Sequence, residues 1–300
     1  MKKIPVILDT DIGDDIDDTW ALVMLLRSPE LSLKLVTTAF GNTLYRARIV
    51  AKLLEIAKRT DVNVGIGIKT DDNEGRQADW IKDYDINNYP GKIFNDGVDA
   101  LIRTIMDSPE EVTVIAIGPL TNIAEALERE PNIVKKSRLV AMAGNVRKGF
   151  GDSKVPIPEY NVKIDVKSAK KVFTSAWDIT ITPLDTCGFM ILEGEKFKKI
   201  KECSLPLTKA LMENVKMWHE KGGYEPKDFS QSVRSSILFD TVAVYLAFSE
   251  EFLVMEDLPI VIEDDGLTAI KEGGKIIRCA VEWKDKSKFE DLLVSRLTSF

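Results

Sequence analysis

Histidine is almost missing from this chain, with His219 the single one in 300 residues. A zinc centre or an imidazole-based catalytic dyad therefore has little material to draw on. The three cysteines, Cys187, Cys203 and Cys279, stand far apart with no CxxC pair, which points to reduced thiols rather than a disulfide framework. A basic surplus is lacking too: the net charge is -7, so no nucleic-acid partner is expected. No stretch approaches the roughly 18 uninterrupted apolar residues of a membrane span, and no membrane partner is expected. The apolar run behind Met1-Lys2-Lys3 is interrupted at Asp9, too early for a secretory signal. These absences together imply a cytoplasmic protein. With 44% hydrophobic residues, the chain can bury a sizeable core and is not disordered.

What the chain has in excess is aspartate in one place. Asp9, Asp11, Asp14, Asp15, Asp17 and Asp18 put six carboxylates into ten positions. Crowded carboxylates repel one another and raise each other's pKa, so such a group implies a bound cation, a shared proton or plain solvation. The flanks favour a site. Residues 4–8 read as a short buried strand, and residues 19–26 as a helix with Asp18 as its N-cap. The aspartates then occupy a strand-to-helix turn, which in a parallel α/β fold lies at the strands' carboxyl ends, where ligands gather.

The α/β alternation continues along the chain. Strands are expected at residues 33–38, 62–66, 112–117, 139–143 and 179–182, with helices at 46–58, 98–106, from 122 to near Pro131, and 166–174. This predicts a mostly parallel central sheet with helices on both faces. Residues 70–91, polar with Trp80, Tyr84 and Tyr89 interleaved, read as a lid or rim. Residues 193–249 look helical with an interruption at 221–226. Residues 259–283 look like short strands, with Gly273-Gly274 as a hairpin turn. No linker is evident, so one domain over 1–300 is expected, with a helical and antiparallel elaboration at its C-terminal end.

A metal site needs ligands from several segments. Hard oxygen donors suit calcium or magnesium, and the Asp and Gly spacing from Asp9 excludes an EF-hand loop. Taken singly, Asn42 and Asn161 read equally as turn residues, Asn122 as a helix start and Asp240 as a helix N-cap.

Their order along the chain makes them specific. The acidic run followed by Trp20-Ala21-Leu22 resembles the signature of the inosine-uridine type nucleoside hydrolases, in a variant two residues longer. Residues 37–42 (TTAFGN), 117–124 (IGPLTNIA), 142–144 (MAG), Glu159-Tyr160-Asn161 with Asp165, and Phe239-Asp240 match in order. The resemblance covers most of residues 4–250. It implies hydrolysis of the N-glycosidic bond of a ribonucleoside to ribose and free base, through an oxocarbenium-like transition state. It further implies a calcium ion held by Asp11, Asp18, the Ile117 carbonyl and Asp240, polarising the attacking water and orienting ribose hydroxyls. Asp11 resembles the family's general base. Asp17, with Asp15 as a rival, and Asn42, Glu159 and Asn161 correspond to residues that hold the sugar. A homodimer or homotetramer is the implied assembly.

The chain also departs from the pattern. Phe239 stands where many members carry a histidine that helps protonate the leaving base. His219 and Tyr224 are the available substitutes, and Trp218 or Trp80 could stack on the base. A rival reading is a haloacid-dehalogenase-type phosphatase, with Asp9 as nucleophile, Asp11 as acid/base and magnesium; a third is a non-catalytic, calcium-dependent binder of nucleosides or ribose.

Overall fold

The structure is a computed structural model that describes residues 2–222 and 228–299. The apolar runs become strands β1 (Ile4–Thr10), β2 (Leu31–Thr38), β3 (Asn63–Ile66), β4 (Ile93–Phe94), β5 (Val112–Ala116), β6 (Ser137–Met142) and β7 (Asp178–Thr182), all parallel to their neighbours. Three later strands, β8 (Leu253–Ile262), β9 (Thr268–Ile270) and β10 (Lys275–Trp283), extend the same sheet. β10 runs parallel to β7 and antiparallel to β8, which pairs antiparallel with β9. The described residues thus form one ten-stranded sheet in the order β4-β3-β2-β1-β5-β6-β7-β10-β8-β9.

Helices follow the strands: α1 (Asp17–Leu26), α2 (Thr43–Ile56), α3 (Gly97–Met106), α4 (Thr121–Arg129), α5 (Tyr160–Lys163), α6 (Val166–Thr174), α7 (Leu184–Cys187), α8 (Gly194–Lys201), α9 (Pro206–Glu220), α10 (Phe239–Leu246) and α11 (Lys286–Thr298). They cover both faces, because strands this apolar expose a hydrophobic surface on each side. One core holds Trp20, Leu53, Leu211 and Tyr245; the other holds Leu101, Ile123, Phe173 and Ile277. Strand order reverses about β1, and the crevice at such a switch point is where ligands bind. Among the described residues no helix is long and apolar enough to cross a membrane.

Several local expectations are corrected. Asp18 is not the N-cap of α1: it lies inside the first turn, and the capping position is Ile16 without a side-chain bond. The Asp18 carboxylate instead accepts the Thr10 hydroxyl. Gly273-Gly274 does not close a hairpin. It carries the chain from β9 on one side of β8 to β10 on the other, and a Cβ on Gly274 would come within 2.8 Å of the Ile260 backbone. β4 and α11 fall outside the expected elements.

The polar stretch between β3 and α3 is fastened along its length, as a fixed rim rather than a lid. The buried Gln77 amide donates to Thr19 Oγ1 at 2.9 Å and to Asn214 Oδ1 at 2.9 Å, tying this stretch to α1 and α9. Trp80 donates to Glu213 Oε2 at 3.3 Å under the Lys52 ammonium, Tyr84 donates to Glu55, and Tyr89 donates to the Val62 carbonyl at 2.6 Å. We expect Gln77→Ala to cost about 2 kcal/mol, as two buried acceptors lose their donor. Urea unfolding checks this, together with faster protease cleavage within residues 67–91; a loss below about 0.5 kcal/mol with unchanged cleavage would contradict the strap.

Candidate active site

The site begins with how the end of β1 is held. Asp9 is fully buried, and its Oδ1 accepts from Thr37 Oγ1 at 2.5 Å and Asn122 Nδ2 at 2.8 Å. The same Asn122 amide donates to the Thr38 carbonyl at 3.0 Å and accepts the Ile68 N–H at 2.9 Å. One side chain from α4 therefore ties together the ends of β1, β2 and β3. The fit is tight: a Cβ on Gly67 would come within 2.2 Å of the Thr38 carbonyl and 2.4 Å of Asn122 Nδ2. Burial pushes the Asp9 pKa up to about 7, against the Asn122 and Thr37 hydrogen bonds. A phosphatase nucleophile must be reachable by phosphate; Asp9 is not, which sets that rival aside.

Past Asp9 the chain turns into α1, and the acidic residues separate. Asp14 and Asp15 are exposed; Asp17 and Asp18 are buried in the first turn of α1. Asp240, buried in the first turn of α10, faces them, and carboxylate oxygens of Asp17, Asp18 and Asp240 lie within 4.8 Å of one another. Of the two rivals for the inner position, Asp17 points inward and is hydrogen-bonded to Asp240. Burial first, then repulsion by neighbouring aspartates, raises all three pKa values well above the carboxylate range. Two helix N-termini aim partial positive charge at the group, but this falls short of compensating three buried carboxylates. Such a donor set is suited to a hard cation.

Asp11 lies beside this trio at the surface of the turn. A Cβ on Gly118 would come within 2.7 Å of its Oδ1, so the carboxylate rests on the backbone just beyond Ile117. Burial raises its pKa to about 6, opposed by Arg46 and reinforced by Asp14 and Asp15. The Ile117 carbonyl accepts Asn161 Nδ2 at 3.2 Å, and that amide also donates to the Met142 carbonyl at 3.2 Å. Next to it, Glu159 accepts N–H groups from Gly144 at 3.0 Å and Asn161 at 2.7 Å; burial pushes its pKa up to about 7. The ends of β1, β5 and β6 thus converge on one acidic pocket.

Other expected residues fare differently. Asn42 caps α2 by accepting the Tyr45 N–H at 3.1 Å and donates to the Asp72 carbonyl at 3.1 Å, leaving one N–H and a lone pair for a ligand. Trp80 is held in the rim, its indole N–H bonded to Glu213 and the Lys52 ammonium 4.2 Å from its ring centre. Trp218 is buried, with the Arg76 guanidinium 5.7 Å from its ring centre. His219 packs edge-on to Trp218 and Phe229 and lines a small cavity with Val215, Ser235 and Ser236. Tyr224 lies outside the described residues. Phe239, immediately before Asp240, meets Phe150 edge to face at 5.7 Å.

Arg46 escaped the sequence reading. Its guanidinium donates to the carbonyls of Phe40 at 2.8 Å, Ile12 at 2.9 Å and Asp11, clamping the acidic turn to the turn after β2. The available signal was a buried-side cation in the first turn of α2, where the helix dipole disfavours it.

Fold and site together define an α/β protein with a carboxylate cluster suited to a hard cation at the switch point of a parallel sheet. The chain belongs to the inosine-uridine preferring nucleoside hydrolase family, whose pattern matches residues 6–291. A probable uridine nucleosidase 2 from Arabidopsis thaliana is 30% identical, over 95% of this chain and 90% of the relative. A pyrimidine-specific ribonucleoside hydrolase, RihA, from Enterobacter sp. (strain 638) is 28% identical over 99% and 98% of the two chains. The solved plant nucleoside hydrolase PpNRh1 superposes with a TM-score of 0.81 at 25% identity, covering 100% of both chains.

The buried carboxyls set a pH dependence. In chelator, Asp9 and Glu159 hold protons up to pH about 7 when folded and release them near pH 4 when unfolded. The native state binds more protons in that window, so its stability falls as pH rises through it. We expect the melting temperature in chelator to drop between pH 5 and 7.5. An added divalent cation should raise it, and more at pH 7.5, since cation and protons compete. A flat profile without a cation effect would contradict this.

Proposed function

We propose that the protein hydrolyses the N-glycosidic bond of ribonucleosides, releasing ribose and free base, with calcium as the resident ion. The observation that carries this is the convergence of Asp17, Asp18 and Asp240 with Asp11 and the Ile117 carbonyl at the end of β1 and β5. Asp11, Asp18, Asp240 and the Ile117 carbonyl are the groups assigned to the ion, and Asp17 to the sugar side. The ion would supply polarisation of the attacking water and a template for vicinal hydroxyls.

The chain's own residues account for the remaining steps. Asp11, with a pKa near 6, is ionised at neutral pH yet basic enough to take a proton from the attacking water. Asn161 donates its N–H groups to the Ile117 and Met142 carbonyls, which offers its Oδ1 to a sugar hydroxyl. Glu159, which accepts the Asn161 N–H, and Asn42, whose amide keeps one N–H unspent, are likewise assigned to the sugar hydroxyls. Positive charge growing on the ribose ring as the bond to the base breaks is stabilised by the surrounding carboxylates and amide oxygens. The same reading carries a cytoplasmic homodimer or homotetramer, which light scattering checks for the assembly.

The test is a nucleoside panel assayed for free ribose, with calcium added or chelated. Turnover in calcium and its loss in chelator are expected. Asp11→Ala should lower kcat by about a thousandfold with the fold intact by circular dichroism. Activity within a few-fold of wild type would remove Asp11 from the base role. Nucleoside binding by calorimetry without ribose release from the wild type would instead make the protein a binder.

A further inference from the structure

Phe150 sits on the loop between β6 and α5, outside every motif that marks the site. Its position is fixed from three sides. Asp185, buried in α7, accepts four N–H groups from the root of that loop: Asn145 Nδ2 at 2.9 Å and the backbone amides of Val146 at 2.8 Å, Arg147 at 2.7 Å and Lys148 at 2.7 Å. Asn145 adds a return bond, accepting the Ile157 N–H at 2.8 Å from the far side of the loop. Gly188, at the end of α7, leaves the seat for the ring: a Cβ there would lie 2.8 Å from Phe150 Cδ2. The third side is Phe239, whose ring meets Phe150 at 5.7 Å with planes inclined by 62°.

Both rings are half-buried, and Phe239 adjoins Asp240 of the acidic trio. A carboxylate pinning four amides is a strong restraint on a loop, and here it holds the Phe150 ring against Phe239, the residue immediately before Asp240. Placing apolar surface next to buried carboxylates brings the trio no hydrogen bond. Flat, weakly polar ring faces are, however, well matched to a nucleobase.

We propose that Phe150 is a substrate-binding residue: with Phe239 it forms an apolar wall that receives the nucleobase of the substrate, purine or pyrimidine alike, while the acidic pocket receives the ribose. The inference rests on the nucleoside reading and deepens it. The wall presents no proton donor, so recognition on this side is by ring contact, favouring no particular hydrogen-bonding edge. Asp185 and Gly188 act through Phe150 as positioning residues.

The test separates the two halves of the substrate by titrating uracil, hypoxanthine and D-ribose into the calcium-loaded protein, with dissociation constants read by ligand-detected NMR. Phe150→Ala should weaken both bases by about tenfold and leave ribose within twofold; Phe150→Tyr, which keeps the ring, should restore the bases to within about twofold. A purely structural role would weaken base and ribose together, and that result overturns the proposal, as does base affinity unchanged in Phe150→Ala. Because binding is read directly, the wall stands or falls separately from hydrolysis: wild-type protein that binds base through Phe150 but releases no ribose would refute the hydrolase reading and support the wall.

Discussion

Three carboxylates, Asp17, Asp18 and Asp240, are buried within 4.8 Å of one another, and the structure is arranged around tolerating them. Burying one unpaired carboxylate is costly, and burying three together more so. No packing advantage explains such a group; apolar residues of similar volume would stabilise the fold better. Its chemistry instead suits the binding of a hard cation. Two devices soften the cost: the trio occupies the N-terminal turns of α1 and α10, where the helix dipoles favour negative charge, and protonation is pushed well above the normal carboxylate range.

The surroundings hold this group rather than neutralise it. Arg46 is the nearby cation, yet its N–H groups go to backbone carbonyls on two turns. Its charge still lowers the Asp11 and Asp18 pKa values, while its hydrogen bonds fix the shape of the acidic turn. Asn122 does for the strand ends what Arg46 does for the turn, and Gln77 anchors the rim above them. A rigid cluster of oxygens that is still short of positive charge is the state in which a cation and a sugar bind without reorganising the protein.

The parallel sheet was legible because its strands are continuous apolar runs separated by amphipathic segments, and residues 166–174 fell on a helix with the expected ends. The acidic turn was legible from charge density alone. Several features were not. Asp18 has the composition of a helix cap, and only the Thr10 hydroxyl and the facing Asp240 show why its carboxylate is used elsewhere. Gly273-Gly274 has hairpin chemistry, but β8 runs between the strands it joins, a tertiary fact that local pattern does not carry. Trp80 and Asn42 look like ligand residues in sequence and are largely spent on the rim and on a helix end. Asn122 was read as a family motif residue or a helix start; its role emerges only when three strand ends meet it. Phe150 carries no signal in sequence, since its position depends on Asp185 and Gly188, 35 and 38 residues further on.

Calorimetric titration of calcium into metal-free protein, in buffers of different ionisation enthalpy, tests most directly whether this buried acidic group is a cation site. One site per chain is expected, with about one proton released near pH 6 and fewer as pH rises, because the ion displaces protons that the buried carboxyls hold. Asp18→Asn should abolish the heat. Binding without proton release, or no binding at concentrations up to the millimolar range that covers calcium modules generally, would contradict it.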